Sequence, residues 1–236
     1  MQSSTNFTKK YLGKLPLGLT ILFILFGGAI LLFTYIMHDV LMRDEMESDS
    51  LIFSFVSANM ISPATTEFMK AVTYFASATF LKIAYAAVII IYLFRKDWKR
   101  AVEIGIIGVG GFLVNYLMKL SFHRPRPADP LIDKLHNFSF PSGHATSAFI
   151  FYGLVTYIIW KTDLSKTYRF SAAFTLISFA LLIGFSRVYL RVHYPSDVMA
   201  GFCIGFAWLV ITIGLFERLK KKSDTEIHGR NEPKSL

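Results

Sequence analysis

The feature that most constrains this chain is a recurrence of apolar runs about 20 residues long, separated by short charged or proline-rich segments. A helix rises 1.5 Å per residue, so such a run matches the roughly 30 Å hydrocarbon core of a bilayer. Six runs are expected to span: 16–37, 66–94, 101–120, 144–160, 170–185 and 195–216. Composition agrees, since 53% of the 236 residues are hydrophobic, which is high for a soluble domain. The expected fold class is all-α: a six-span transmembrane helix bundle forming one domain over 1–222, with 223–236 as a polar cytoplasmic tail. Lys9, Lys10 and Lys14 precede the first run in the manner of a signal peptide. That run is too long for the apolar part of a signal and no small-residue cleavage site follows, so it reads as a retained helix.

The net charge of +9 raises the question of nucleic acid, but its distribution answers no. The cations lie mostly in clusters between apolar runs: 95–100, Lys161 with Lys166 and Arg169, and Arg218 with Lys220, Lys221 and Lys222. Assigning these clusters to the cytoplasm follows the positive-inside rule and puts both termini inside. The acidic 39–63 segment and the 121–143 and 186–194 loops then fall outside. Within the first of these, 51–56 is apolar but too short to cross, and is expected to be a short helix at the interface. Lys82 sits mid-span, where a charge is expensive, and is expected to face the bundle interior near Asn115. Gly105, Gly108, Gly110 and Gly111 point to close helix packing in the third span. The single cysteine, Cys203, lies in an apolar run and reads as a packing residue.

The outer side carries the chemistry. Pro141-Ser142-Gly143-His144 joins an aromatic loop to the fourth apolar run. Ser142 is a good N-cap, and the backbone N–H groups of the first turn beyond it have no carbonyl partner, which makes an anion site. Gly143 keeps bulk away from an incoming anion, and His144 can give or take a proton. Lys119 and Arg126 stand upstream, and Arg187, His193 and Asp197 downstream. Arginine forks match phosphate oxygens and lysine adds a point charge. A cationic cluster on the outer side runs against the positive-inside rule, so an anionic ligand accounts for it better than headgroup snorkelling, the role left to Arg124 and Arg191.

Asp197 follows His193 by four residues, across Pro195. A carboxylate accepting the Nδ1 proton leaves Nε2 as a free lone pair, able to attack phosphorus. His144 can then protonate the leaving oxygen and activate water. Lys119, Arg126, Arg187, Ser142 and the Gly143 amide would meet the charge growing on the equatorial oxygens. With several fixed cations no metal or other cofactor is required.

These three segments resemble the signature of the type 2 phosphatidic acid phosphatase (PAP2) superfamily: K-x6-RP in Lys119 and Arg126-Pro127, PSGH in 141–144, and S-R-x5-H-x3-D in Ser186-Arg187, His193 and Asp197. Every signature position matches. The resemblance implies a helical membrane enzyme with a phosphohistidine intermediate on His193 and its active site at the outer membrane–water interface. Size, short loops and basic termini are similar to bacterial members that act on phosphatidylglycerophosphate or undecaprenyl diphosphate. The expected function is therefore metal-independent removal of the terminal phosphate of a lipid phosphate or diphosphate in a bacterial cell membrane, with no obligate protein partner. A lipid phosphate binder or flippase would use the same cations but leave His193 and Asp197 idle. A vanadate-dependent haloperoxidase shares the signature, though the membrane spans argue against it.

Overall fold

A computed structural model describes residues 17–43, 47–135 and 137–230. Among them the chain forms eight helices and no strand: α1 (Leu17–Arg43), α2 (Glu47–Asn59), α3 (Pro63–Tyr74), α4 (Ala78–Phe94), α5 (Trp98–Phe122), α6 (Gly143–Trp160), α7 (Lys166–Tyr189) and α8 (Pro195–Arg230). Local sequence sets most of the starts. Ser62 and Thr65 form a reciprocal capping box with Pro63 in the first turn of α3. Ser77, Asp97, Ser142 and Ser165 each accept a hydrogen bond from the N–H three residues on.

Four helices, α1, α5, α7 and α8, are long and apolar enough to cross a membrane, and α3 with α4 makes a fifth if that pair is one span. The expectation of six is therefore met only to four or five on length and composition. The difference lies in α6, whose 18 residues begin with His144, Thr146 and Ser147 and are thus less apolar. The expected continuous second span is also broken. Ser77 turns its side chain to the N–H of Phe80 at 3.2 Å, and α4 leaves α3 at a bend of 42°. A serine that bonds nearby backbone competes with a continuing helix.

Helix α6 is the hub, packed against α5, α7 and α8. On one side Ile150 and Leu154 meet Ile104, Ile107 and Leu209. On the other, Ala148, Phe151 and Tyr152 meet Val72, Leu81, Ala180 and Ile183. The glycine expectation for α5 holds at three of four positions. A Cβ would lie 2.9 Å from the Tyr85 ring at Gly108, 2.3 Å from the Trp208 ring at Gly110 and 2.4 Å from Ile150 at Gly111, whereas Gly105 has nothing within 4 Å. Helices in lipid gain little from apolar association itself, so such close approach is what holds them together. Helix α1 packs on α8, with Phe33, Ile36 and Val40 against Phe140 and Ala200, and leaves most of its apolar surface exposed. That surface suits lipid rather than water.

Three further expectations need correction. Lys82 is exposed, not turned into the bundle. The hydrogen-bond partner of buried Asn115 is Thr146 Oγ1, at 3.0 Å. Ser186 and Arg187 lie in the last turn of α7 rather than in a loop, and α8 continues through Arg230, so 223–230 is helical. The 51–56 stretch does lie within a short helix, α2, though that helix is packed down on the bundle through Phe53 and Val56. Lys9, Lys10, Lys14 and residues 231–236 lie outside the described residues.

Candidate active site

Four helix ends and two connecting segments converge on the site. Lys119 lies one turn before the end of α5, which stops at His123 in the left-handed conformation (φ 48°). Its Nζ donates to the Phe138 carbonyl at 2.7 Å. The connecting loop folds back on itself through Ser139 N–H to Arg124 O at 2.9 Å. Arg126 donates to Asn137 O at 2.8 Å and Asn137 Oδ1 at 2.6 Å, which aims its Nη1 at His193 Nε2, 3.2 Å away. Burial draws the Arg126 pKa down to about 10, partly offset by Asp197, so it remains a cation at neutral pH.

Helix α6 begins over this loop. Ser142 caps it as expected, and its own N–H donates to the Asp197 carbonyl at 3.0 Å. The beginnings of α6 and α8 are thereby tied together. Gly201 permits this approach, because a Cβ there would come 2.8 Å from Ser142 O. A Cβ on Gly143 would lie 3.2 Å from Asn115 Oδ1 and 3.9 Å from Lys119 Cε, so glycine keeps the space beside Lys119 open. His144 in the same turn is partly buried and within electrostatic reach of Arg187, His193, Arg126 and Lys119.

The third part is the turn from α7 to α8. Arg187 is 2% exposed, and its Nη1 donates to Thr73 Oγ1 of α3 at 2.7 Å. Its Nε is buried and, among the described residues, has no hydrogen-bond partner. A buried guanidinium N–H left without an acceptor is rare, and beside Arg126 and Lys119 it fits a phosphate oxygen. The Arg187 carbonyl accepts from the N–H groups of Val192 and His193 at 3.1 and 3.3 Å, which fixes the turn carrying His193. His193 Nδ1 lies 3.4 Å from Asp197 Oδ2 and 3.4 Å from Ser139 Oγ, leaving Nε2 on the cationic side. Burial, and then the charges of Arg126, Lys119 and Arg187, hold the His193 pKa well below the usual histidine range. The imidazole is therefore neutral at neutral pH, with its Nε2 lone pair available.

All eight residues singled out in the sequence thus meet in one place. Several neighbours escaped the sequence reading. Arg124, assigned only to snorkelling, is the largest fully buried side chain and pairs with Asp49 at 2.9 Å and Asp197 at 2.6 Å. Ser139 donates a short hydrogen bond to Asp197 Oδ2, and the Tyr194 N–H donates to the same oxygen at 2.9 Å. Arg191, the other expected snorkeller, donates to Ser57 of α2. The usable signal was the placement of the acidic 39–63 segment and the cationic loops on one side of the membrane, which makes buried ion pairing between them available.

A cluster of partly buried cations, a neutral buried histidine beside it and a membrane helix bundle around both fit a membrane-embedded phosphatase. The chain belongs to the PAP2 superfamily, whose family model matches residues 100–221. It is 28% identical over 200 residues to phosphatidylglycerophosphatase B of Bacillus subtilis, covering 82% of this chain and 96% of that one. It is 31% identical over 131 residues to the undecaprenyl-diphosphatase BcrC of the same organism, covering 52% and 62%. The crystal structure of a transmembrane PAP2-type phosphatidylglycerolphosphate phosphatase from Bacillus subtilis superposes with a TM-score of 0.74 at 26% identity, over 82% of this chain and 96% of that one. The chain is thus a bacterial membrane lipid phosphatase of this family, acting on lipid phosphates.

Proposed function

We propose that this enzyme removes the terminal phosphate of phosphatidylglycerophosphate, undecaprenyl diphosphate or both, and that it does so at the outer face of the membrane. The observation that carries the reading is the buried Arg187, whose Nε has no hydrogen-bond partner among the described residues and which stands with Arg126 and Lys119 around His193. The names of the Bacillus subtilis relatives supply the two substrates.

In this reading the phosphate oxygens lie against Lys119, Arg126, Arg187, Ser142 and the Gly143 N–H. His193 Nε2 attacks phosphorus in line, and its Nδ1–H donates to Asp197, which steadies the positive ring. The bond from phosphorus to the lipid oxygen breaks as that oxygen takes a proton from His144, which enters the step as the imidazolium once the bound phosphate offsets the surrounding cations. A water then gives its proton to His144 and its oxygen to phosphorus. The N–P bond breaks, inorganic phosphate leaves, and both histidines return to their starting state. Fixed cations stabilise the equatorial charge throughout, so the residues themselves supply what a metal would. The acyl or prenyl tail lies among the helices. The 1–222 bundle acts as a single six-span domain with α6 counted as a span, 223–236 as its cytoplasmic tail, and both termini inside.

The test is phosphate release by detergent-purified protein in excess EDTA. The panel holds phosphatidylglycerophosphate, undecaprenyl diphosphate, phosphatidic acid and a short soluble monophosphate. Release should resist EDTA, favour one of the first two lipids and drop by at least about 1,000-fold in His193→Ala. A preference for the soluble monophosphate, or a His193→Ala variant with wild-type turnover, overturns the reading. Orientation is checked by impermeant labelling of single cysteines placed in the 128–135 loop of a Cys203→Ser background. Labelling only from the cytoplasmic side would refute the outward site.

A further inference from the structure

We propose that Arg124 is a positioning residue: clamped by Asp49 of α2, it holds Asp197 in the orientation from which that carboxylate steers His193. The proposal rests on the reading of His193 as the nucleophile.

The geometry divides Asp197 between two tasks. Its Oδ1 accepts from Arg124 Nη1 at 2.6 Å. Its Oδ2 is left to Ser139, the Tyr194 N–H and His193 Nδ1. A carboxylate held at both oxygens cannot rotate about its last bond. Arg124 is in turn immobilised on its far side. Its Nη2 donates to Asp49 Oδ2 at 2.9 Å, its Nη1 also donates to Ser196 Oγ at 2.8 Å, and its guanidinium lies 4.0 Å from the centre of the Tyr194 ring. Asp49 is fixed by the Ser196 N–H at 2.9 Å and the Ser196 hydroxyl at 2.6 Å. Both side chains of the Arg124–Asp49 pair are 0% exposed. Two arginines separated by Pro125 therefore serve opposite sides of one catalytic pair: Arg126 faces Nε2 of His193, and Arg124 reaches its Nδ1 side through Asp197.

Stability alone is a poor reason for the arrangement. Burying a guanidinium with two carboxylates is costly, and packed apolar side chains commonly do as well or better. What the ions add is a fixed direction at Asp197. Because α2 supplies Asp49, the clamp also couples the outer helix to the catalytic turn.

The test uses Arg124→Met and Asp49→Asn in full-length, monodisperse, detergent-purified protein, beside wild type and His193→Ala. The substrate is the lipid phosphate of the panel above that turns over fastest. The groups facing His193 are Lys119 from α5, Arg126 from the loop, His144 from α6, Arg187 from α7 and Asp197 from α8. Arg124 touches the anion through none of them. Arg124→Met should therefore lower kcat by roughly 10- to 100-fold, in the range for removal of a supporting hydrogen bond, with KM little changed. Asp197, freed from its cation, should also draw the His193 proton more strongly and move the acidic limb of kcat/KM to higher pH. Asp49→Asn keeps shape and should shift both readouts in the same direction by less. A folded Arg124→Met with wild-type kcat overturns the clamp, and so does a lower kcat with an unmoved pH limb, which marks a structural role only. If Arg124→Met does not fold, Asp49→Asn decides: wild-type kcat and limb beside an inactive His193→Ala remove the clamp alone. Full turnover in His193→Ala removes the nucleophile reading instead.

Discussion

Both ends of this bundle carry cations, and they hold them differently. On α5, Arg100 and Lys119 are 19 residues apart, so about 28 Å of helix separates the ends, close to one hydrocarbon thickness. At the Arg100 end, Arg100 and Lys161 each have an acid and a ring nearby. Arg100 pairs with Glu103 at 2.9 Å, Lys161 pairs with Glu217 at 3.0 Å, and the two cations lie 5.8 and 5.4 Å from the Tyr157 ring. Arg218, Lys220 and Lys221 line the same open cleft. At the Lys119 end, Lys119 and Arg187 lean on neutral oxygens, and Asp197 is already held by Arg124, Ser139 and Tyr194. Charge count therefore does not make an anion site. On the proposed reading, burial without a dedicated countercharge does, because an arriving phosphate then gains what water and carboxylates supply elsewhere.

The largest effect should come from breaking the buried end. Arg187→Ala is expected to lower kcat/KM by on the order of 100- to 1,000-fold, the usual consequence of losing a buried transition-state donor. Lys161→Ala, at the paired end, should change it by less than about twofold, since exposed pairs contribute little. Equal losses at both ends in a phosphate-release assay would erase the distinction.

Next in size is the packing that brings the catalytic turn together. A Cβ on Gly184 would stand 2.2 Å from the Phe202 ring and 2.9 Å from Val198. Gly184→Ala should cost about 1–3 kcal/mol, the range for overpacking, read as a lower melting temperature in detergent. Gly105→Ala is the control, with nothing within 4 Å of its Cβ, and should be neutral or slightly stabilising.

The smallest effect is on pH. In the role proposed for it, protonated His193 cannot attack, so the acidic limb of kcat/KM for the free enzyme reports its pKa. Burial and three cations disfavour the imidazolium, and the limb should lie below 6.5, the ordinary histidine value. Arg126→Gln removes one of those cations, so the limb should rise toward 6.5 without reaching it, because burial is the larger cause. A limb already at or above 6.5 in wild type would contradict the buried environment of His193.

Much of this was legible in the sequence because the signature residues carry local rules. Ser142 caps, Pro195 opens a helix, and His193 precedes Asp197 by one turn, each within a few residues. The span count was less legible, since Ser77 breaks one run and the polar first turn of α6 depresses another. Lys82 shows a further limit: mid-run position tells depth but not facing, and the face depends on which neighbours pack there. The pairing of Arg124 with Asp49 was only half legible: the shared side of the membrane made it available but did not say which residues would meet. They are 75 residues apart, and nothing within either segment states that an acidic stretch will cover the site.

The hydrogen bond from the Ser142 N–H to the Asp197 carbonyl has a meaning for how such enzymes diversify. It joins the two helix beginnings backbone to backbone, so the spacing between His144 and His193 is written into the main chain. Side chains along the tail path can then be exchanged without disturbing the alignment of the reacting groups. A scaffold of that kind can be re-tailored to acyl or prenyl lipids while its cutting edge stays in register, much as one lathe head accepts many workpieces.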